Sequence, residues 1–357
     1  MQPQFAQQSP FRQEVLKELD SYVSENLTLL LPVERAWQAS ELLPDMAGEN
    51  WREQIESCRN EAAALPDDLL VTLVANMITE EALPNYHAWL SNLETGFDKQ
   101  GVGQGGIARW MRGWVAEEKR HGEALHLFLY SCGRVDLKAV SRTIQYLLRN
   151  GFDPQTENDV YLGFMYTSLQ ERATYVAHSG VARMARQFDN TILARMCDHI
   201  AGDEVRHEKA YARFVTKLFQ LDPDGALLAL QKMLSKSIVM PAKLMSDGQD
   251  PDIFSLFSAI TQKNGLYTTH DYARIVTHFV SFWNVANIKA KSDDALRAQD
   301  YICELPERFT KFADRVASRQ ANIPDRPIKW LFNRVVRSVP LRDRTPAAPR
   351  ENAISCN

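Results

Sequence analysis

The chain has 357 residues, 45% of them hydrophobic, and a formal net charge of −4. That is ample apolar material for one large domain or two, and the mild acidity excludes general nucleic-acid binding, leaving room only for a local basic patch. The five cysteines (Cys58, Cys132, Cys197, Cys303, Cys356) are odd in number and form no CxxC, so neither a zinc ribbon nor a disulfide framework is indicated and a reducing cytoplasm fits best. The opening MQPQFAQQSP lacks a basic region followed by an apolar run, so neither a signal peptide nor a transit peptide is expected. No apolar run approaches the length of a membrane span, so none is expected.

Residues 1–10 are polar and read as disordered. In residues 11–30, Phe11, Val15, Leu16, Leu19, Tyr22 and Val23 keep the three-to-four spacing of an amphipathic helix, which Pro32 interrupts. Helical patterns follow over 50–64 and 67–83, with Pro66 and Asp67 starting the second. Pro84 cannot donate to the carbonyl of Glu80, so the helix either kinks there or ends early. The glycine-rich stretch 96–108 holds GxGxxG but no GK[ST], and no strand precedes it; it reads as a flexible connection. Helices are then predicted from Ile107 to Tyr130 and over 134–150, 160–187, 189–219, 223–238, 253–263, 270–290 and 293–319. No β alternation stands out, and the class is all-α.

Chemistry concentrates in two strings, AEEKRHGEALHLFLY and DEVRHEKAY. Each contains Glu-x-x-His: Glu118 with His121, and Glu204 with His207. Residues three apart share a helix face, so each carboxylate and imidazole can close on one metal ion. Glu118 and His121 lie on the stripe Trp114, Glu118, His121, Leu125, Phe128. A third such pair, Glu123 and His126, lies five residues on, about 140° around the helix. Its stripe is polar, so this pair belongs on the surface. Glu204 and His207 interrupt the apolar stripe Leu193, Met196, Ile200, Tyr211, Phe214, Leu218.

A charged pair on an apolar stripe needs compensation. For one site alone, a structural ion pair explains it as well as a metal does. Here, however, the order is Glu80, then Glu118 with His121, a gap that can hold a crossover, Glu171, then Glu204 with His207. This twice-repeated order is that of a ferritin-like di-iron four-helix bundle. Four inward carboxylates would resist ionisation. Two Fe(II) ions carry four compensating charges, and hard oxygens with two imidazoles and no thiolate suit iron or manganese.

The sequence also resembles the soluble acyl-acyl-carrier-protein desaturases, known from plant plastids and with bacterial members. The matching stretches are NMITEEALPNY, AEEKRHGEALHLFLY, GRVDLKAVSRTIQYLL, DPQTENDVYLGFMYTSLQERATY, DEVRHEKAY and LFQLDPDG. The resemblance implies a single ferritin-like desaturase domain over 15–333 with additional flanking helices, a disordered 1–14 and a basic, proline-containing tail over 334–357. Its metal ligands fall on Glu80, Glu118, His121, Glu171, Glu204 and His207, the set reached from helical phase. It further implies that Glu118 and Glu204 bridge two irons while Glu80 and Glu171 are terminal. The implied reaction takes a saturated acyl chain on acyl carrier protein, O2 and two electrons to a cis-alkene and water. The departures Lys119 and Val205, where the family motifs carry Asn and Lys, flank ligands without being ligands.

Other roles follow from the resemblance alone. Thr174 corresponds to a threonine on the distal side of the site; it either serves O2 activation or only bonds a backbone carbonyl. Trp37 and Asp203 match a route for electrons through His121 from a ferredoxin-type protein. Trp89, Leu93, Pro154, Gly163, Phe164 and Tyr166 are candidates for the acyl channel or are ordinary core. Trp89 and Asn92 stand where plant members generally carry smaller or different side chains, which opens chain length and double-bond position. Arg326, Lys329, Arg334, Arg337, Arg342 and Arg344, against Asp343 alone, with Arg35 as a further candidate, form either a dock for the acidic carrier protein or a solvated face. A homodimer is implied. A ferritin-like iron store or oxygen scavenger would share the ligands without a long channel. A ribonucleotide reductase radical subunit would have Asp in place of Glu80 and a radical Tyr near the metal.

Overall fold

The computed structural model describes residues 9–94, 97–98, 100–236, 238–250, 252–319 and 327–340. Its helices are α1 (Pro10–Glu25), α2 (Ala39–Leu42), α3 (Trp51–Ala63), α4 (Asp67–Glu81), α5 (Leu83–Ser91), α6 (Gly106–Cys132) and α7 (Leu137–Asn150). These continue with α8 (Val160–Gln187), α9 (Thr191–Leu221), α10 (Pro223–Leu234), α11 (Ile253–Asn264), α12 (Thr269–Phe282) and α13 (Asp293–Ser318). The boundaries have local causes. Asp136, Asp159 and Asn190 cap α7, α8 and α9, each side chain accepting from backbone N–H groups of the first turn. Gly133, at φ 65°, ends α6 in the left-handed conformation that glycine adopts without strain. The break between α4 and α5 falls at Ala82, two residues before Pro84, which takes a place in the first turn of α5 where its missing N–H costs nothing.

Four long elements make the bundle. Helix α4 packs on α6 and α8 on α9, and the pairs meet through α6–α9 and α4–α8 contacts. The apolar interior is not one cluster but two. Leu73 and Met77 of α4, Leu125 and Phe128 of α6, and Met196 and Ile200 of α9 fall in one. Trp110 and Trp114 of α6, Phe164 of α8, and Tyr211 and Phe214 of α9 fall in the other. In sequence, Glu118 with His121 and Glu204 with His207 lie between the two apolar runs of their helices. Among the described residues no single helix is long and apolar enough to cross a membrane.

The only strands among the described residues are β1 (Pro327–Ile328) and β2 (Arg334–Val335), an antiparallel pair. Between them Trp330 is fully buried. Its indole N–H donates to Thr143 Oγ1 at 2.9 Å, and its carbonyl accepts from the backbone N–H of Asp136, the α7 cap, at 2.7 Å. In the described part of the proposed tail, 334–340, the Ser338 hydroxyl donates to Asp68 of α4 at 3.1 Å, so that part also lies against the bundle.

Candidate metal centre

Helical phase and the two broken cores bring six side chains to one buried layer. Glu80 on α4, Glu118 and His121 on α6, and Glu204 on α9 present ligand atoms within 4.8 Å of one another. So do Glu118, Glu171 on α8, Glu204 and His207. All six are buried, and Glu118 and Glu204 belong to both groups. Each histidine turns Nδ1 inward. His121 Nδ1 lies 3.1 Å from Glu118 and 3.4 Å from Glu204, and His207 Nδ1 lies 2.8 Å from Glu118 and 3.5 Å from Glu171.

The outward nitrogens have partners of their own. His121 Nε2 is 3.3 Å from Asp203, and His207 Nε2 is 2.9 Å from Glu117. If Nε2 carries the proton in each, the Nδ1 lone pair is left facing the carboxylates. Arg120 donates to Asp203 at 2.7 Å, and Arg206 to both Asp203 and Glu117, at 2.5 and 2.7 Å. Glu80 is held by His178 at 3.0 Å and Glu171 by the indole N–H of Trp114 at 3.0 Å. Glu117, Arg120, Arg206 and His178 were not among the residues singled out from the sequence. The first three were legible there, because EEKRH and DEVRH repeat one order, acid-Glu-x-Arg-His. His178 is seven residues, about two turns, beyond Glu171 on the same face.

The donor set fits a pair of hard cations. Oε1 of Glu118 and Glu204 and Nδ1 of His207 and His121 are buried and face one another across the layer, at 2.8 and 3.4 Å, without an aligned hydrogen bond such as buried polar atoms normally have. With only the protein's charges, burial pushes the Glu171 carboxyl well above its ordinary range and raises Glu80. Burial also opposes ionisation of Glu118, but His121 and His207 outweigh it and hold that carboxyl low. Both histidines are driven well above their usual range, the carboxylates overcoming burial. The layer therefore retains protons to limit its negative charge, a balance that bound cations would replace.

The third Glu-x-x-His pair is outside this layer. Glu123 is exposed and pairs with Lys119 at 2.9 Å, and His126 is partly exposed, 3.5 Å from Glu81. Trp37 donates to Asp203 at 3.0 Å and stacks on His121 with 6.1 Å between ring centres. Thr174 Oγ1 is 3.1 Å from the Gln170 carbonyl and 2.9 Å from that of Glu171.

A cavity of about 60 Å3 touches Glu80, Glu118, Glu171, Glu204 and Thr174 and also reaches Trp89 and Tyr166. Leu93, Pro154, Gly163 and Phe164 do not line it. Leu93 packs so closely on Gly163 that a Cβ there would come within 2.7 Å of it, and Phe164 packs against Tyr211 and Phe214. A larger, open groove of about 830 Å3 runs past His270, Arg274 and His278 and includes none of the six ligand candidates. Arg35 and Arg337 are exposed, whereas Arg334 pairs with Asp67 at 3.2 Å and Lys329 with Asp247 at 3.2 Å. Arg326, Arg342, Asp343 and Arg344 lie outside the described residues.

Comparison with known proteins agrees with this architecture. A family model described as fatty acid desaturase matches residues 11–332. The stearoyl-[acyl-carrier-protein] 9-desaturase of Spinacia oleracea is 46% identical over 91% of this chain and 82% of its own length. The acyl-[acyl-carrier-protein] 6-desaturase of Thunbergia alata is 44% identical over 92% of this chain and 85% of its own length. The fold also matches the X-ray structure of DesA2 from Mycobacterium tuberculosis H37Rv, a candidate acyl-ACP desaturase, with a TM-score of 0.54 at 22% identity, covering 80% of this chain and 99% of that one. With the match running through all four ligand-bearing helices, the chain belongs to the fatty acid desaturase family.

Proposed function

We propose that this protein is an O2-dependent acyl-[acyl-carrier-protein] desaturase that inserts a cis double bond into a saturated acyl chain during unsaturated fatty acid biosynthesis. The observation that carries the reading is the pair of four-residue groups sharing Glu118 and Glu204, their inward atoms unpartnered, beside a cavity lined by aromatic rings. An iron store has no use for such a cavity, and the family match runs against a ribonucleotide reductase subunit.

An unactivated methylene has no acidity that Glu or His could exploit, so general-base chemistry alone cannot make the alkene. Two bound irons would supply the redox chemistry that activates O2 toward such a C–H bond. Glu80, Glu118, His121, Glu171, Glu204 and His207 would hold them, Glu118 and Glu204 belonging to both groups. Asp203 and Glu117 orient the imidazoles by accepting from Nε2, which keeps Nδ1 directed inward. His178 and the indole of Trp114 fix the carboxylates of Glu80 and Glu171. Thr174 lines the cavity, and its hydroxyl, bonded here to helix carbonyls, would serve O2 activation. The aromatic lining excludes water and positions the chain.

Electrons enter from a ferredoxin-type donor by way of Trp37, Asp203 and His121. Exposed Arg35 and Arg337 meet the acidic carrier protein, with Arg334 at the edge of that contact. The working unit is a cytoplasmic homodimer. Relatives named for the 9 and the 6 position match almost equally, at 46% and 44% identity, so overall identity does not choose between those positions for this chain.

The test is product analysis. Purified protein with iron, O2, reduced ferredoxin and a panel of saturated acyl-carrier-protein thioesters should yield, by mass spectrometry, acyl chains lighter by two hydrogens. No desaturated product from any member of the panel overturns the proposal.

A further inference from the structure

A buried tryptophan or tyrosine normally places its N–H or O–H on an acceptor. In this chain all but two do so. The indole N–H donates from Trp37 to Asp203, from Trp114 to Glu171, from Trp283 to the Ala212 carbonyl and from Trp330 to Thr143 Oγ1. The buried phenols of Tyr161 and Tyr166 reach Asp222 and the Val239 carbonyl. The exceptions are the Trp110 indole nitrogen and the Tyr211 hydroxyl, both fully buried and without a hydrogen-bond partner among the described residues. These two rings touch each other, edge to face at 5.8 Å.

The pair lies beside the carboxylate layer. On α6, Trp110, Trp114 and Glu118 follow one another at four-residue steps along one face, and on α9 Tyr211 is one turn beyond His207. Trp114 meets the layer directly. Its N–H donates to Glu171 at 3.0 Å, its ring centre is 6.5 Å from that of His207, and it lines the cavity. Tyr211 is 6.4 Å from Trp114. Phe164 and Phe214 pack on Tyr211 at 5.6 and 5.7 Å, and Phe214 on Trp110 at 5.3 Å. Oxidisable rings thus run from a ligand carboxylate into a box of apolar ones.

Phenylalanine would fill both positions without leaving a polar atom unpaired, so the indole and the phenol call for a state in which those atoms matter. Loss of an electron supplies it. An indole that has lost one carries a positive charge, and its N–H becomes a far stronger donor. The Tyr211 oxygen is the acceptor beside it. Burial holds the Tyr211 phenol well above its ordinary range, so it keeps its own proton while it accepts.

We propose that Trp110 is a one-electron reservoir for the metal layer, reached through Trp114 and stabilised, once oxidised, by the Tyr211 oxygen. The proposal rests on the desaturase reading above, which supplies the oxidant: an O2-oxidised metal pair with no acyl C–H bond in reach. Trp114 gives one electron to that centre, and Trp110 gives one to Trp114. Trp114 is restored, the centre is one electron richer and Trp110 is one electron poorer. The indole proton stays on Trp110, so no bond is made or broken. The ferredoxin-type donor returns the electron when it next reduces the layer. With an acyl chain in the cavity, the C–H bond takes the oxidising equivalent first. Without one, the reservoir spares His207 and the carboxylates.

The test exposes iron-loaded, chemically reduced protein to O2 without acyl thioester. Freeze-quench electron paramagnetic resonance follows radicals, and peptide mass spectrometry maps oxidised residues after repeated exposures. Wild type should show a tryptophan radical whose lines narrow when indole-deuterated tryptophan is incorporated. W110F should lose it. Y211F removes the acceptor and keeps the ring; it should shorten the radical's lifetime about tenfold, the scale of a lost charge-assisted hydrogen bond. Both variants should accumulate oxidised His207 and Trp114 faster than wild type, with iron content unchanged. A wild type that forms no tryptophan radical overturns the proposal, as does a signal that survives W110F or a lifetime unchanged in Y211F. Should W110F fail to fold, Y211F and the labelled wild type decide. A wild type that desaturates acyl substrates yet forms no radical refutes the reservoir alone. One that neither desaturates nor consumes O2 refutes the desaturase reading and the reservoir with it.

Discussion

The two halves of the carboxylate layer are built from one string, acid-Glu-x-Arg-His, and differ in what stands behind it. The acid of each string serves the histidine of the other: Asp203 meets His121, and Glu117 meets His207. Behind Asp203 stand the Trp37 indole, Arg120 and Arg206, which both acids share, with Trp37 also stacked on His121. Behind Glu117 stand Arg206 and the backbone N–H of Leu31, at 2.5 Å. One half is thus backed by a buried aromatic ring and the other by main chain. Equivalent ligands need not have equivalent duties, and the difference lies one residue behind the ligands.

Breaking the layer outright gives the largest effect. Because Glu118 belongs to both groups, Glu118→Ala should abolish turnover and reduce bound iron from about two per chain to below one. His207→Ala should do likewise through one group. Metal analysis with turnover checks both, and full iron with full activity in either would refute the ligand assignment. The next effect separates the halves. Glu117→Gln and Asp203→Asn should each cost about 10–100-fold in iron affinity or activity. Only Asp203→Asn should depress ferredoxin-driven turnover more than single turnover of chemically reduced enzyme. Equal ratios in the two variants would mean that the Trp37 side has no special role in electron entry.

Iron removal is a smaller perturbation of the same layer. It leaves the partnerless carboxylate and imidazole atoms without compensation, so apoprotein should melt at lower temperature than iron-loaded protein. At free iron a hundred times Kd the difference amounts to about 2.7 kcal/mol, and calorimetry across iron concentrations measures it. Docking comes next. Arg337→Glu should raise KM for the carrier-protein substrate and flatten its salt dependence at unchanged Tm, whereas Arg334→Glu also breaks the Asp67 pair, worth under about 1 kcal/mol. Smallest of all, Glu123→Ala and His126→Ala should retain iron and shift stability by no more than about 0.5 kcal/mol, since their motif faces outward.

What the sequence made legible was what repeats along a helix. The apolar stripes located α6, α8 and α9 closely, and phase alone separated His121 from His126. The α4–α5 break was legible as an event tied to Pro84, but its place at Ala82 depends on where the proline ring fits best, the first turn of α5. Contacts between distant segments were not legible. Thr156 is 67 residues from Trp89, and nothing periodic links a loop hydroxyl to a helix indole. Nor could composition show that Asp67 and Asp247 engage two of the cations in the basic cluster. The cross-pairing of Glu117 with His207 lay between: the repeated string was visible, but which acid served which histidine required three dimensions.

The burial of Trp330 has a consequence in time. Its indole binds Thr143 from 187 residues downstream, and its carbonyl receives the N–H of the α7 cap. A ribosome adding 5–20 residues per second needs about 10–40 seconds to travel from Thr143 to Trp330. During that interval α7 must wait with one face of its docking site unfilled, although α4, α6, α8 and α9 are all complete by its midpoint. The bundle can therefore assemble its carboxylate layer before α7 receives its last buried contact, leaving a period in the birth of each molecule when the site has its ligands while the C-terminal segment is still unmade.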